Sequence, residues 1–147
     1  MKITNNRAFY DYEILERFEA GINLLGTEVK AVQLGHADLS GGHVRIIGTE
    51  AYLVNIKIFP YKYARPENYD ERRTRKLLLH KREILALKSK TEGENLTIVP
   101  ISLYTNDHLI KAELALARGK KKYQKRESIK RKDLDRELEQ ELSKSNK

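Results

Sequence analysis

The sequence predicts a mainly β domain, a small antiparallel barrel, closed or nearly closed, with two to three short helices and a basic C-terminal tail. Three observations carry that expectation. Residues 43–58 and 97–116 each alternate apolar and polar side chains on both sides of a turn, the pattern of hairpins with one buried face. Residues 26–35 and 77–93 change to helical spacing bounded by glycine. Beyond Arg118-Gly119 the apolar content collapses, leaving only Tyr123, Ile129, Leu134, Leu138 and Leu142. Many short strands with few helices favour a barrel, and 147 residues suit one such domain. The expected division is a barrel over 1–118 and a tail over 119–147.

Taken in order, "YDYEILERFEAGINLL" fits a strand through Tyr10, Tyr12 and Ile14, with Gly21 as a bend. "GTEVKAVQLG" follows as a helix, with Thr27 as N-cap, Val29 and Val32 three apart, and Gly35 as the stop. In "HVRIIGTEAYLVNIKI", Val44 and Ile46 alternate with polar neighbours and Gly48-Thr49-Glu50 turns the chain. Tyr52, Val54, Ile56 and Ile58 are then expected on one face of the return strand. "PYKYARPENYDERRTRK", with two prolines and three tyrosines, reads as a long surface loop. A helix over roughly 81–91 precedes Gly93. In the second hairpin Thr97, Val99, Ile101 and Leu103 share a face, Asn106-Asp107 turns, and Ile110, Ala112, Leu114 and Leu116 return. Pro100 cannot donate to a ladder, so it marks an edge or a bulge.

The charge distribution bounds function. The formal net charge is +8, yet residues 1–117 contribute only +2 and residues 118–147 contribute +6. In "RGKKKYQKRESIKRK", residues 118–132, nine of fifteen side chains are cationic and one is anionic. Basicity concentrated in one arm implies a polyanionic partner. The tail has too little apolar surface to offset its ordering entropy alone. Leu134, Leu138 and Leu142 nonetheless form one helical stripe, which fits either an arm that becomes helical on a surface or a solvated helix packed on the barrel. No cysteine is present, which excludes disulfides and thiolate chemistry. The N-terminus lacks a signal-peptide core, and no apolar run approaches the ~18–20 residues that cross a bilayer. A soluble cytoplasmic protein is expected.

For catalysis the sequence offers little. His36, His43, His80 and His108 have no metal-ligand spacing, and P-loop, dinucleotide and nucleophile-elbow motifs are absent. Asp70-Glu71 and the Glu92/Glu94 pair would be the carboxylates of a divalent-metal nuclease, the minority alternative to a non-enzyme. Binding chemistry is richer. Lys120, Lys121, Lys122, Lys125 and Arg126 supply cations for phosphate, and Tyr123 among them can stack on a base. A generic solubilising or lipid-attracted tail is the plainer alternative. A second basic cluster, Arg72, Arg73, Arg75, Lys76, Lys81 and Arg82, belongs to the body. With no helix-turn-helix pattern, RNA is preferred over DNA. No cofactor or metal is expected.

Four segments carry a resemblance: "FEAGINLLGTEVKAV", "RTRKLLLHKREI", "LTIVPISLY" and "LALARGKKKYQKRESIKRKD". In order and spacing, from about Asn5 to Asp133, they resemble the family of SsrA-binding proteins (small protein B), the bacterial partners of transfer-messenger RNA (tmRNA). The resemblance implies an OB-fold-like barrel that binds the tRNA-like domain of tmRNA and brings it to stalled ribosomes for trans-translation. It implies an RNA-holding surface that includes Asn5, Arg7, Glu19, Lys30 and Leu78, to which the basic cluster of the body adds Lys81 and Arg82. It implies a tail, hinged at Gly119, that enters the empty mRNA channel and becomes helical. There Lys120, Lys121, Lys122, Lys125, Arg126 and Lys130 would contact 16S rRNA near the decoding centre. Tyr123 would stack, and Ile129 and Leu134 would form the inner helix face. Elongation factor Tu would join through the tmRNA complex, and no membrane is involved. The chain departs from the family's usual residues at Tyr10 (histidine), Gln124 (aspartate) and Leu134 (tryptophan), and "NYDERR" replaces a His-Asp-Pro sequence. The alternative from the residues alone is a general single-stranded-nucleic-acid-binding OB domain.

Overall fold

A computed structural model describes residues 1–63 and 68–121, together with Lys125, Arg126, Leu134 and Arg136. In chain order it contains β1 (Lys2–Thr4), α1 (Asn6–Asp11), β2 (Tyr12–Ile22), α2 (Gly26–Gln33), β3 (Ala37–Asp38) and β4 (His43–Ile47). β5 (Glu50–Val54), β6 (Lys57–Ile58), β7 (Arg75–Leu78), α3 (Lys81–Glu94), β8 (Thr97–Asn106) and β9 (Leu109–Gly119) complete it. Seven strands form one antiparallel sheet in the order β1-β8-β9-β2-β7-β5-β4, while β3 and β6 pair separately. The sheet curls until β4 lies alongside β8 without joining its ladder. The barrel is therefore open at that seam, and the mainly β, OB-like expectation holds.

The main core gathers Leu53, Ile56, Ile58, Leu77, Leu103 and Leu114 from the inner face, with Val32 of α2 and Ile84 of α3. A smaller cluster lies on the opposite face of β8 and β9, where Val99, Ile101, Ala115 and Ala117 are covered by Ala8 of α1. Both faces of β8 are buried, one on the main core and one under α1, and the ladder shifts register between Pro100 and Ser102. This is the bulge that Pro100 implied. It also flips the alternation, so Val99 and Ile101 face α1 while Leu103 faces the main core.

Several local expectations are corrected. The segment containing Tyr10 is helical, because the Asn5 side chain accepts a hydrogen bond from the Ala8 N–H (3.3 Å) and caps α1. Gly21 is a ladder residue opposite Leu78 and Lys111, not a bend. α2 begins two residues earlier than a Thr27 cap would place it, since Glu28 accepts the Leu25 N–H at 2.8 Å. Gly35, at φ +80°, does end that helical segment. In β5 the buried residues are Ala51 and Leu53, not Tyr52 and Val54. Asn55 adopts φ 60°, breaks the strand and resets the alternation, so Ile56 and Ile58 bury after it. The second hairpin turns at Asp107-His108, φ 48° and 68°, with Asn106 and Leu109 as its closing pair. Two consecutive positive φ values match the right-handed twist of the strands. α3 runs through Gly93 to Glu94 and ends at Asn95, φ 54°.

Candidate RNA interface

Directly opposed residues of antiparallel strands share a face. Lys2, Tyr104, Lys111, Gly21 and Leu78 therefore form one row across β1, β8, β9, β2 and β7. Thr4, Ser102, Glu113 and Glu19 form the neighbouring row. This is the outer face of the sheet beyond the part covered by α1. The Tyr104 hydroxyl donates to the Glu19 carboxylate. Burial, and then that carboxylate, push the phenol up to about 12, so the hydroxyl stays a donor at neutral pH. Glu113 accepts from Ser102 Oγ and from Arg17 Nη1, each at 3.4 Å.

Leu78, the β7 end of its row, is 58% exposed although it is apolar. Its side chain lies across Gly21, where an added Cβ would stand 3.2 Å from the Leu78 Cβ. It forms the ridge between two clefts. One, of about 420 Å³, is lined by Glu50, Lys76, His80, Lys81 and Ile84 among others. The second, of about 260 Å³, is lined by Asn23, Val29, His108 and Lys111 among others. Lys81 and Arg82, both exposed, open α3. Cations there oppose the positive end of the helix dipole, a placement that phosphate would relieve. Lys30 is exposed on α2, with its ammonium 5.4 Å from the Tyr61 ring centre.

Other residues implied by the resemblance sit elsewhere. Asn5 is buried, and its amide nitrogen donates to Leu39 O (3.2 Å) and Pro100 O (2.9 Å). Its hydrogen-bonding groups are engaged within the protein, so it positions α1 rather than offering an edge to RNA. Arg7 is exposed and bonds Asp11 at 3.2 Å. Gly119 ends β9 opposite Tyr12. Lys120 then docks on α1, its N–H donating to Asp11 O (2.8 Å) and its ammonium to Phe9 O (2.9 Å). Lys125 reaches the same place, 3.4 Å from Asp11 Oδ1 and 5.6 Å from the ring centre of Tyr10. Lys125, Arg126, Leu134 and Arg136 have helical backbone, and Leu134 is 64% exposed. Lys121 is exposed. Lys122, Tyr123, Ile129 and Lys130 lie outside the described residues.

Part of the body's basic cluster points inward, against expectation. Arg75 has no exposed surface, and its Nε donates to Glu28 at 2.7 Å. Arg73 brings its guanidinium onto the same carboxylate, with Nε 3.1 and 3.2 Å from the two oxygens. Tyr69 donates to it at 3.0 Å. Glu28 itself is 1% exposed. Burial pushes its pKa up, but hydrogen bonds from Arg73, the Leu25 N–H and Arg75 outweigh that and hold it below the ordinary glutamate range. The spacing carried a signal for this hub. Glu28 shares a helical stripe with Ala31 and Val32, so a carboxylate was bound for the interior and required cationic partners. Of the nuclease carboxylates, Asp70 accepts the Arg72 N–H at 2.9 Å, Glu71 pairs with Lys57 at 3.3 Å, and Glu92 and Glu94 are exposed at the end of α3. Among the described residues no three His, Asp or Glu side chains gather as a metal site. No helix among them is long and apolar enough to cross a membrane.

A curled antiparallel sheet with an exposed leucine between cation-lined clefts, and a cationic extension anchored beside it, defines an OB-like nucleic-acid-binding protein. A family model described as SmpB protein matches residues 2–144. The chain belongs to this family. It is 50% identical over 135 residues to the SsrA-binding protein of Syntrophobacter fumaroxidans, covering 92% of this chain and 84% of that one. It is 51% identical over 136 residues to the SsrA-binding protein of a Sulfurihydrogenibium species, covering 92% and 90%. A solved structure titled "tmRNA-SmpB: a journey to the center of the bacterial ribosome" superposes with a TM-score of 0.70 at 48% identity, covering 82% of this chain and 85% of that one.

Proposed function

We propose that this protein is an RNA-binding adaptor that binds the tRNA-like domain of tmRNA and delivers it to stalled ribosomes for trans-translation. The observation that carries this reading is the exposed Leu78 ridge between two cation-lined clefts beside Glu19, in a chain of the SsrA-binding family. Leu78 packs on a base or sugar, Glu19 and Tyr104 meet a base edge or ribose, and Lys30, Lys81 and Arg82 meet phosphates. The body carries only +2 over residues 1–117, so shape and a few polar contacts supply selectivity there. Residues 118–147 carry +6, and the extension enters the vacant mRNA channel as a helix against rRNA. Elongation factor Tu joins through tmRNA, the work is cytoplasmic, and no chemical step is assigned to the chain.

The test is competition at fixed salt between the tRNA-like domain of tmRNA, ordinary tRNA and single strands, with the full chain and with residues 119–147 deleted. The tRNA-like domain should win with both proteins, and only the full chain should restore tagging on stalled ribosomes. Equal affinity for all three RNAs would make this a general single-strand binder. Loss of tRNA-like RNA binding on deletion would end the division of labour between body and tail.

A further inference from the structure

We infer that Phe59, Tyr61 and Tyr63, with Lys30 and Lys62, form a second RNA contact that stacks unpaired bases and continues the sheet interface through α2. This rests on the reading of the protein as a tRNA-like-RNA binder and adds a surface to it. The sequence here, "KIFPYKY", places an aromatic residue at every second position with lysines at and beside them. In the fold each ring has an ammonium over it. Lys57 stands 4.8 Å from the Phe59 ring centre, Lys30 5.4 Å from Tyr61, and Lys62 5.7 Å from Tyr63. Tyr61 and Tyr63 meet edge to face with centres 5.6 Å apart.

These rings do not serve the core. Tyr63 is 77% exposed and Phe59 38%. Neither Tyr61 nor Tyr63 has a hydroxyl hydrogen bond among the described residues, whereas Tyr69 in the same loop is tied to Glu28 and to Ile58 O. The stretch is held at its base. The Phe59 N–H donates to His36 O and the Ile58 N–H to Glu71 O, both at 3.0 Å, and Arg75 donates to Glu71 O at 3.0 Å. These hydrogen bonds fix the root of the stretch at Ile58 and Phe59, which lowers the entropy lost when the Phe59 ring is covered.

The chemistry selects the ligand. The exposed Tyr63 and half-buried Tyr61, with ammonium groups at 5–6 Å, combine a π-face for a base with a cation for its phosphate. Bases paired inside a duplex are not available to such rings, so the partners are nucleotides splayed from a loop. The neighbouring acids do not oppose this, because Asp70 and Glu71 are engaged by the Arg72 N–H and by Lys57. Continuity decides for the same RNA. Val29 lines the cleft beside Leu78, and Lys30, the next residue on α2, lies over Tyr61.

The experiment compares the full chain with its Tyr63→Ala, Tyr63→Leu, Tyr63→Phe and Tyr61→Ala/Tyr63→Ala variants. The probes are labelled tRNA-like domain of tmRNA and a short unstructured ribo-oligonucleotide. The chain has no tryptophan and eight tyrosines, so the difference in tyrosine quenching between the parent and Tyr63→Leu reports stacking at that ring. Tyr63→Ala and Tyr63→Leu should weaken binding about tenfold, the double variant further, and Tyr63→Phe should bind like the parent because it keeps the ring. Unfolding midpoints should be unchanged, as Tyr63 lies at the surface. Parent-like affinity in the double variant, with the tRNA-like domain still preferred, overturns this inference alone. Equal parental affinity for both probes, with loss in the ring variants, overturns the proposed selectivity and supports the stacking surface. Failure of the parent to bind either probe overturns both.

Discussion

Residues 72–76 and 120–126 look alike in the sequence, each dense in lysine and arginine, and the fold treats them in opposite ways. Arg73 and Arg75 turn inward and meet a buried carboxylate, with Tyr69 completing the hub. Lys120 and Lys125 stay near the surface, held on α1 by Phe9 O and Asp11, and Arg126 is exposed. The first group braces the loop that carries the aromatic edge. The second rests on a backbone carbonyl and a surface carboxylate, contacts that the proposed function has it exchange for phosphate. Charge density alone does not mark a nucleic-acid surface; what matters is whether the chain supplies its own counter-charge in a dry place.

The largest break in this comparison is Glu28→Ala, which strands Arg75 without its partner. It should cost about 3–5 kcal/mol in denaturant unfolding, and a loss below ~1 kcal/mol would mean that the inner cluster is not neutralised as described. The second is acid. The Glu28 carboxyl titrates lower in the folded chain than in the unfolded one, so its stabilisation is complete above the ordinary glutamate value and is lost as pH falls through the depressed one. As pH falls below the ordinary glutamate value, urea midpoints should drop more steeply for the parent than for Glu28→Gln. Third, Leu78→Ala should weaken tRNA-like RNA binding by about 1–2 kcal/mol, from lost apolar burial in the complex, with the salt slope and unfolding midpoint unchanged. The smallest effect is Arg126→Gln, which should leave stability alone and reduce the logarithmic salt slope of ribosome binding by about 0.7–0.9. An unchanged slope would remove Arg126 from the phosphate contacts.

Much of the sheet was legible because its signals are local. The core face of β9, the bulge at Pro100 and the stop at Gly35 follow from alternation and from what proline and glycine can do. The misplacements have equally physical causes. Asn55 reset the alternation of β5 with one left-handed residue, and Asn5 made a helix of a segment that alternated like a strand. Among the site residues, Glu19 and Leu78 fall on adjoining rows of one face, whereas Asn5 is internal, its side-chain groups used by Leu39, Pro100 and Ala8.

By itself the sequence determined the strand-rich class, the absence of thiol chemistry, the charge asymmetry between body and tail, and the resemblance that led to the family. Tertiary structure alone decided which cations are available to a partner and which leucine stands proud of the sheet. Arg73 and Arg75 lie 45 and 47 residues from Glu28 in the chain, and Leu78 is exposed because its partner across the β2–β7 ladder is Gly21, which has no side chain to cover it. Solvation and counter-charge are properties of neighbours in space, and those neighbours are distant in sequence.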